Sequence, residues 1–276
     1  MLGAILGDIV GSRWEFQAYK SKLFPLFTSG KNDYTDDSVM TLAIAEALLT
    51  GAHGYALAQK TVALMQDYGR RYPGRGYGGR FVGWLVDDDP QPYNSFGNGS
   101  AMRVSACAYA AKTLEEAKDL SYIVTAVTHS HPEGIKGAEA TTVAIWMALH
   151  GATKDEIRAE IEAHYYPLNF TLDEIRPSYR FNEICQDTVP QAIVSFLEAE
   201  DFEDTLRNAV SLGGDADTLA AIAGSIAEAY FGLPEQLRER GLSYLPDELA
   251  SVVERFEAAY PQAKIVAAGD DQAKRV

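Results

Sequence analysis

The stretch Ser211-Leu-Gly-Gly-Asp215-Ala-Asp217-Thr218 runs straight into an apolar segment, Leu219 to Tyr230, and this junction constrains the chain more than any other feature. Leu219, Ile222, Ala223, Ile226 and Tyr230 recur at steps of three and four, the spacing of one face of an α-helix. Two carboxylates and a hydroxyl are therefore compressed at a helix mouth, just after a Gly-Gly that lets the backbone turn sharply. Like charges about 4 Å apart repel by about 4 kcal/mol even at an effective dielectric of about 20, so something positive is expected among them. Asp and Thr are also ordinary N-cap residues, and capping alone is the competing account.

The same grammar recurs near the N-terminus. Tyr34-Thr35-Asp36-Asp37-Ser38 precedes Val39 to Leu49, in which Met40, Ala43, Ile44, Ala47 and Leu48 keep helical spacing. The apolar faces of both helices place their acidic mouths in the core rather than on the surface. If the two mouths meet, Asp36, Asp37, Asp215 and Asp217 converge beside the hydroxyls of Thr35 and Thr218, and two divalent cations would match the charge. These residues are the expected metal ligands. Oxygen donors without neighbouring Cys or His point to Mg²⁺, Mn²⁺ or Ca²⁺ rather than Zn²⁺.

Strand-like alternation is almost absent, so the expected fold is all-α: a compact bundle of many short helices around a buried core, with the acids facing one cleft. Helical patterns run over 2–12, 54–68, 80–86, 101–110, 114–128, 136–150, 189–200 (with Pro190 in the first turn) and 246–260. Gly3, Gly7 and Gly11 recur every four residues, leaving one side of the first helix bare for close approach of another. Asp8 interrupts that helix and needs a hydrogen-bonding partner if buried. Residues 1–268 are expected to form one domain and 269–276 a disordered polar tail.

Composition narrows the function classes. No apolar run approaches the roughly 20 residues that cross a bilayer, and the N-terminus lacks a basic region and includes Asp8, so a cytoplasmic protein with no membrane partner is expected. A formal charge of −15 argues against nucleic acid as a partner. Cys107 and Cys185 lie in apolar helical surroundings and read as buried free thiols. The oligomeric state is open, with a monomer as the default expectation.

A third motif, Ser95-Phe-Gly-Asn-Gly-Ser100, leads into the helix-forming Ala101–Ala110. Its glycines would then sit at a helix start, where free amides and the macrodipole suit a phosphate. The Gly-, Arg- and Tyr-rich stretch 69–79 is either a surface excursion or a substrate lid. Asp87-Asp88-Asp89-Pro90 reads as a solvated turn, and His129 with His131 lacks the further ligands a zinc site needs.

Together, Gly3-Ala-Ile-Leu-Gly-Asp-Ile-Val-Gly-Ser-Arg-Trp-Glu15, Thr35-Asp36-Asp37-Ser38, Ser95–Arg103 and Gly213–Thr218 resemble, in order and rough spacing, the signature blocks of the ADP-ribosylglycohydrolases, the family of dinitrogenase reductase-activating glycohydrolase. The resemblance covers nearly the whole chain. It implies a compact helical fold, two Mg²⁺ or Mn²⁺ ions, and hydrolysis of the glycosidic bond joining ADP-ribose to a modified acceptor, with an ADP-ribosylated protein or small molecule as partner and arginine as the first acceptor to consider. It further implies ADP-ribose contacts from Phe96, Gly97, Asn98, Gly99, Ser100 and Met102, a substrate contact from His129, and a catalytic glutamate at Glu15 on a closing segment. Glu15 and Asp36 are both candidates for the acid/base. Two rivals remain: a two-metal pyrophosphohydrolase, and a catalytically silent ADP-ribose-binding or crystallin-like relative.

Overall fold

The computed structural model describes residues 1–261, and among these it contains fourteen α-helices and no strand; one isolated antiparallel bridge joins Gly97 and Ile184. In chain order the helices are α1 (Leu2–Ser12), α2 (Asp36–Leu49), α3 (Gly54–Arg71), α4 (Gly79–Val86), α5 (Ser105–Ala110), α6 (Leu114–Ala126), α7 (Pro132–Leu149), α8 (Lys154–His164), α9 (Leu172–Ile175), α10 (Cys185–Leu197), α11 (Phe202–Ser211), α12 (Ala216–Phe231), α13 (Glu235–Leu242) and α14 (Asp247–Ala259). The expected boundary at 268 and the tail 269–276 lie outside the described residues. The all-α expectation holds.

Helix α12 is the axis of the core, buried continuously from Ala216 to Ala227. It packs on α1, α7, α10 and α11. Its contact with α1 is backbone against backbone. A Cβ placed on Gly7 would sit 2.6 Å from the Ala221 amide nitrogen and closer still to the Ala220 carbonyl. Gly3 meets Gly224 in the same way, and Gly11 meets Ala216 and Asp217. Small residues at four-residue steps thus face each other on two antiparallel helices, which carries the C-terminal end of α1 to the N-terminal end of α12.

Helix α2 starts at the same place. Thr35 caps it, its side chain accepting from the Asp37 amide at 3.3 Å, and Asp8 of α1 ties this start down. The Asp8 carboxylate accepts from the Thr35 amide at 2.9 Å, the Thr35 hydroxyl at 2.7 Å, the Ser38 amide at 3.0 Å and the Ser38 hydroxyl. The buried acid expected to need partners has four.

Three sequence expectations are corrected. Ala101–Ala110 is not one helix: Asn98–Ser100 forms a single 3-10 turn, and α5 begins only at Ser105. The turn is held in place because the Asn98 amide donates to Glu183 O at 2.8 Å and the Cys185 amide to Phe96 O at 3.0 Å, bonds that a continuous helix would forgo. Pro190 lies inside α10, which starts at Cys185, rather than in its first turn. Helices α8, α11 and α13 were not read from the sequence: α8 buries only Ile157 and Ile161 and relies on a Thr153–Glu156 capping box, α13 buries only Gly241, whereas α11 does bury Phe202, Leu206, Ala209 and Val210 at helical spacing and could have been read.

The α1–α12 contact is testable. Gly7→Ala should lower unfolding stability by about 3 kcal/mol or more, because the obstacle is main chain and no rotamer relieves it. Gly83→Ala, in α4 with nothing within 4 Å of the added carbon, should be neutral or stabilise by up to about 1 kcal/mol. Chemical denaturation of both variants measures this; equal midpoints would contradict the packing described.

Candidate metal centre and cleft

Six carboxylates meet where α1, α2 and α12 converge: Asp8, Glu15, Asp36, Asp37, Asp215 and Asp217. Five of them form two nests. Oxygens of Asp8, Asp37 and Asp217 lie within 4.8 Å of one another, as do oxygens of Glu15, Asp215 and Asp217, so Asp217 belongs to both. The Thr218 hydroxyl donates to Asp37 Oδ2 at 3.3 Å, joining the two helix mouths directly. The two helix mouths expected to meet do meet, and Asp37, Asp215 and Asp217 of the four expected acids lie in the nests.

The surrounding groups satisfy these acids only in part. Asn98 Nδ2 donates to Asp215 Oδ2 at 2.7 Å, so this member of the glycine-rich motif holds an acid of the nest. Asp37 Oδ1 is buried without a hydrogen-bond partner. Among the described residues, no Lys, Arg or His forms an ion pair with any of the six. Thr35 turns its hydroxyl to Asp8, with Asp37 Oδ2 only at 3.4 Å. Asp36 stands outside both nests, half-buried, and its Oδ1 faces Gly76.

Protonation follows from this arrangement. Burial raises Asp37 and Asp217 well above the ordinary carboxylate range, with the neighbouring acids adding to it. Burial, then the charge of Asp8, pushes Asp36 up to about 8. Burial, then Asp215, pushes Glu15 up to about 7, and burial pushes Asp8 up to about 6 despite its four donors. A set of oxygen donors, partly unpartnered and without a protein cation, fits a hard divalent ion.

The nests floor a cleft of about 360 Å³. Its far wall is Ser95–Gly99 with Met102, Arg103 and His129, and another side is Gly76, Gly78 and Gly79. The Gly-Arg-Tyr stretch is thus part of the cleft. It is fastened down by the Asp36 amide donating to Arg75 O at 2.7 Å and by Arg75 Nη1 donating to Asp33 Oδ2 at 2.6 Å. Of the expected ADP-ribose contacts, Phe96, Gly97, Asn98, Gly99, Met102 and His129 line the cleft, whereas the Ser100 hydroxyl is buried and donates to Gly134 O at 2.8 Å. Cys107 and Cys185 are buried free thiols, and Asp87, Asp88 and Asp89 are exposed, as expected. A larger cavity of about 470 Å³, lined by Tyr109, Phe256 and Tyr260, contains none of the six acids and stands apart from this chemistry.

Sequence reasoning missed Asp8 as a nest member and Glu183, Arg80 and Tyr93 as cleft residues. A lone acid in an apolar helix was a signal for Asp8. The other three carried none.

Without a cation these acids hold protons in the folded chain that an unfolded chain releases near pH 4. Their folded values are raised, so the stability they contribute is full below about pH 4 and is lost as pH rises through about 6, 7 and 8. Metal-stripped protein should therefore melt lower near pH 9 than near pH 5. Excess Mg²⁺ or Mn²⁺ should raise the melting temperature most at the higher pH. A scanning fluorimetry series across pH, with and without metal, checks both slopes.

Comparison with known proteins agrees with this geometry. The family model described as ADP-ribosylglycohydrolase matches residues 1–265. The chain is 27% identical to the Homo sapiens protein named ADP-ribosylhydrolase ARH3, over 85% of each chain. It is 24% identical to the Pseudomonas putida (strain GB-1) protein named ADP-ribosylarginine hydrolase Tri1, over 84% of this chain and 70% of that one. A solved structure titled "ADP-ribosylglycohydrolase-related protein complex" superposes with a TM-score of 0.69 at 23% identity, covering 93% of this chain and 96% of its own, a likeness of fold.

Proposed function

Because the chain belongs to the ADP-ribosylglycohydrolase family, and is thus a hydrolase of glycosyl bonds, we propose that it uses two divalent metals to cut the bond between ADP-ribose and a modified arginine, releasing ADP-ribose. The observation that carries this reading is the pair of carboxylate nests sharing Asp217 on the floor of a cleft walled by the Ser95–Arg103 segment. Asp37, Asp215 and Asp217, with Asp36, Thr35, Thr218 and Asp8 around them, would hold two Mg²⁺ or Mn²⁺ ions, which supply Lewis-acid polarisation of ribose hydroxyls and water.

The chain's own residues divide the remaining work. Glu15 lies on the segment just after α1, half-buried, and is pushed up to about 7, so near neutral pH it can take or give a proton at the leaving group or the attacking water. Asp36 lines the cleft outside the nests and is the alternative proton carrier. Phe96, Gly97, Asn98, Gly99 and Met102 shape the wall against which the nucleotide would lie, Ser100 braces that wall from behind through Gly134 O, and His129 adds a donor to it. Holding the ribose between floor and wall replaces orientational search with a fixed approach. Glu15, Asp36 and Glu183 line the cleft with carboxyl oxygens that can accept from the N–H groups of a guanidinium, which supports arginine over a neutral acceptor.

A product assay over ADP-ribosylated arginine and serine tests the reaction. ADP-ribose should appear from the arginine substrate and vanish with EDTA, whereas AMP would indicate pyrophosphate cleavage. Asp217→Asn, which keeps shape but removes a charge shared by both nests, should lower kcat/KM at least about a hundredfold, or about 2.7 kcal/mol, with the fold retained. Asp87→Asn, in the exposed turn, should change nothing.

Glu15→Ala should lower kcat strongly while ADP-ribose still binds within about tenfold of the original affinity. Calorimetry showing abolished binding, or kinetics with an unchanged kcat, would remove Glu15 from the proton-transfer role.

A further inference from the structure

In the far wall of the cleft, Arg103 is 1% exposed and has no carboxylate partner among the described residues. Its Nη2 donates to Thr128 Oγ1 at 2.7 Å, and its Nε has no partner. Thr128 Oγ1 is in turn 2.7 Å from His129 Nδ1. These three residues form a chain whose proton positions can be deduced.

A guanidinium has donors only, so the Thr128 oxygen must accept from Arg103. Thr128 is fully buried, and the only other group in hydrogen-bond reach of its hydroxyl among the described residues is His129 Nδ1. If the histidine proton sat on Nδ1, Thr128 would receive two donors and its own buried hydrogen would have no acceptor, an arrangement that folding disfavours. The hydroxyl therefore donates to Nδ1, and the neutral ring carries its proton on Nε2. Burial, and then the Arg103 charge, hold the imidazole well below its ordinary pKa, which keeps it neutral.

Nε2 faces the cleft wall: a Cβ on Gly97 or Gly99 would lie 3.7 or 3.6 Å from it. Tyr93 also packs on the ring, centroid to centroid at 6.1 Å. Arg80, Arg103 and His129 are donor-bearing side chains that line the same cleft as the nest acids. An anionic oxygen excluded from the acidic floor is matched here.

We propose that Arg103 and Thr128 are positioning residues that lock His129 in the Nε2–H tautomer, presenting a neutral, fixed donor beside the Gly97–Gly99 turn to a diphosphate oxygen of the substrate. The identity of that oxygen rests on the ADP-ribosyl reading above; the tautomer does not. Thr128 is fully buried and outside the cleft lining, and Arg103 reaches the cleft wall but is only 1% exposed. Each acts through the histidine, much as an outer partner orients a ligating imidazole elsewhere.

The test is a long-range proton–nitrogen correlation spectrum of the full ¹⁵N-labelled chain with Mg²⁺ near neutral pH, with His129→Gln identifying the resonances. Wild type should show a pyrrole-type Nε2 and a pyridine-type Nδ1; the reverse pattern, or an imidazolium, overturns the relay. Thr128→Val should lose the single tautomer and weaken ADP-ribose binding about tenfold, while Thr128→Ser keeps both. A Thr128→Val protein with the original tautomer and affinity overturns the proposal; should that variant not fold, the wild-type and Thr128→Ser spectra still decide it. ADP-ribose, but not ribose, should shift the Nε2 resonance, and an equal shift with ribose refutes the diphosphate contact. Failure of the wild type to bind ADP-ribose would instead remove the substrate reading and leave the tautomer result standing by itself.

Discussion

The backbone contact between α1 and α12 is the interaction on which the site depends. Gly3, Gly7 and Gly11 on one helix and Ala216, Ala220 and Gly224 on the other leave no side chain between the two axes. Because the helices run antiparallel, the C-terminal half of α1, which carries Asp8, lies beside the start of α12, which carries Asp217. A spacing one side chain wider would separate the oxygens that now lie within 4.8 Å of one another. Close packing therefore sets the spacing of the carboxylates.

That geometry concentrates negative charge where the protein offers little to offset it. The N-termini of α2 and α12 both point at the nests, but a helix dipole contributes only about 0.3–1 kcal/mol to an adjacent anion in ordinary settings. Each close carboxylate pair costs several times as much, about 4 kcal/mol on the same rough scale. Proton uptake or cation binding must make up the difference, and raised carboxylate pKa values are the signature of the first. The hydrogen bonds to Asp8 serve a different end. They fix the start of α2 against α1, so that Asp37 arrives already oriented.

The opposite wall of the cleft has the complementary character. Its glycine-rich segment is held by main-chain bonds to residues 183–185, its Asn98 reaches across to Asp215, and a buried guanidinium forms part of it. An acidic floor and a donor-bearing wall suit a ligand whose two parts differ in charge. Asn98 couples the two halves, so the wall cannot move without disturbing an acid of the nest.

The all-α class, the buried mouths of α2 and α12, and the pairing of Asp37 with Asp217 were legible in the chain, because apolar residues at helical spacing orient a helix and paired acids at its start then have one place to go. The four-residue glycine step likewise announced a close helix contact. Residues 98–104 were misread as a helix start because local propensity favoured one, while the bonds from 183–185 that override it come from a distant segment. Asp8 was visible as an anomaly, yet its nest could not be assigned before α1 was placed on α12. Arg103, Thr128 and His129 spoke even less, since a relay is made of distances and sequence separation does not encode them. Local periodicity decides which faces are buried; which buried groups touch is decided by packing, where contacts between residues a hundred positions apart set the chemistry.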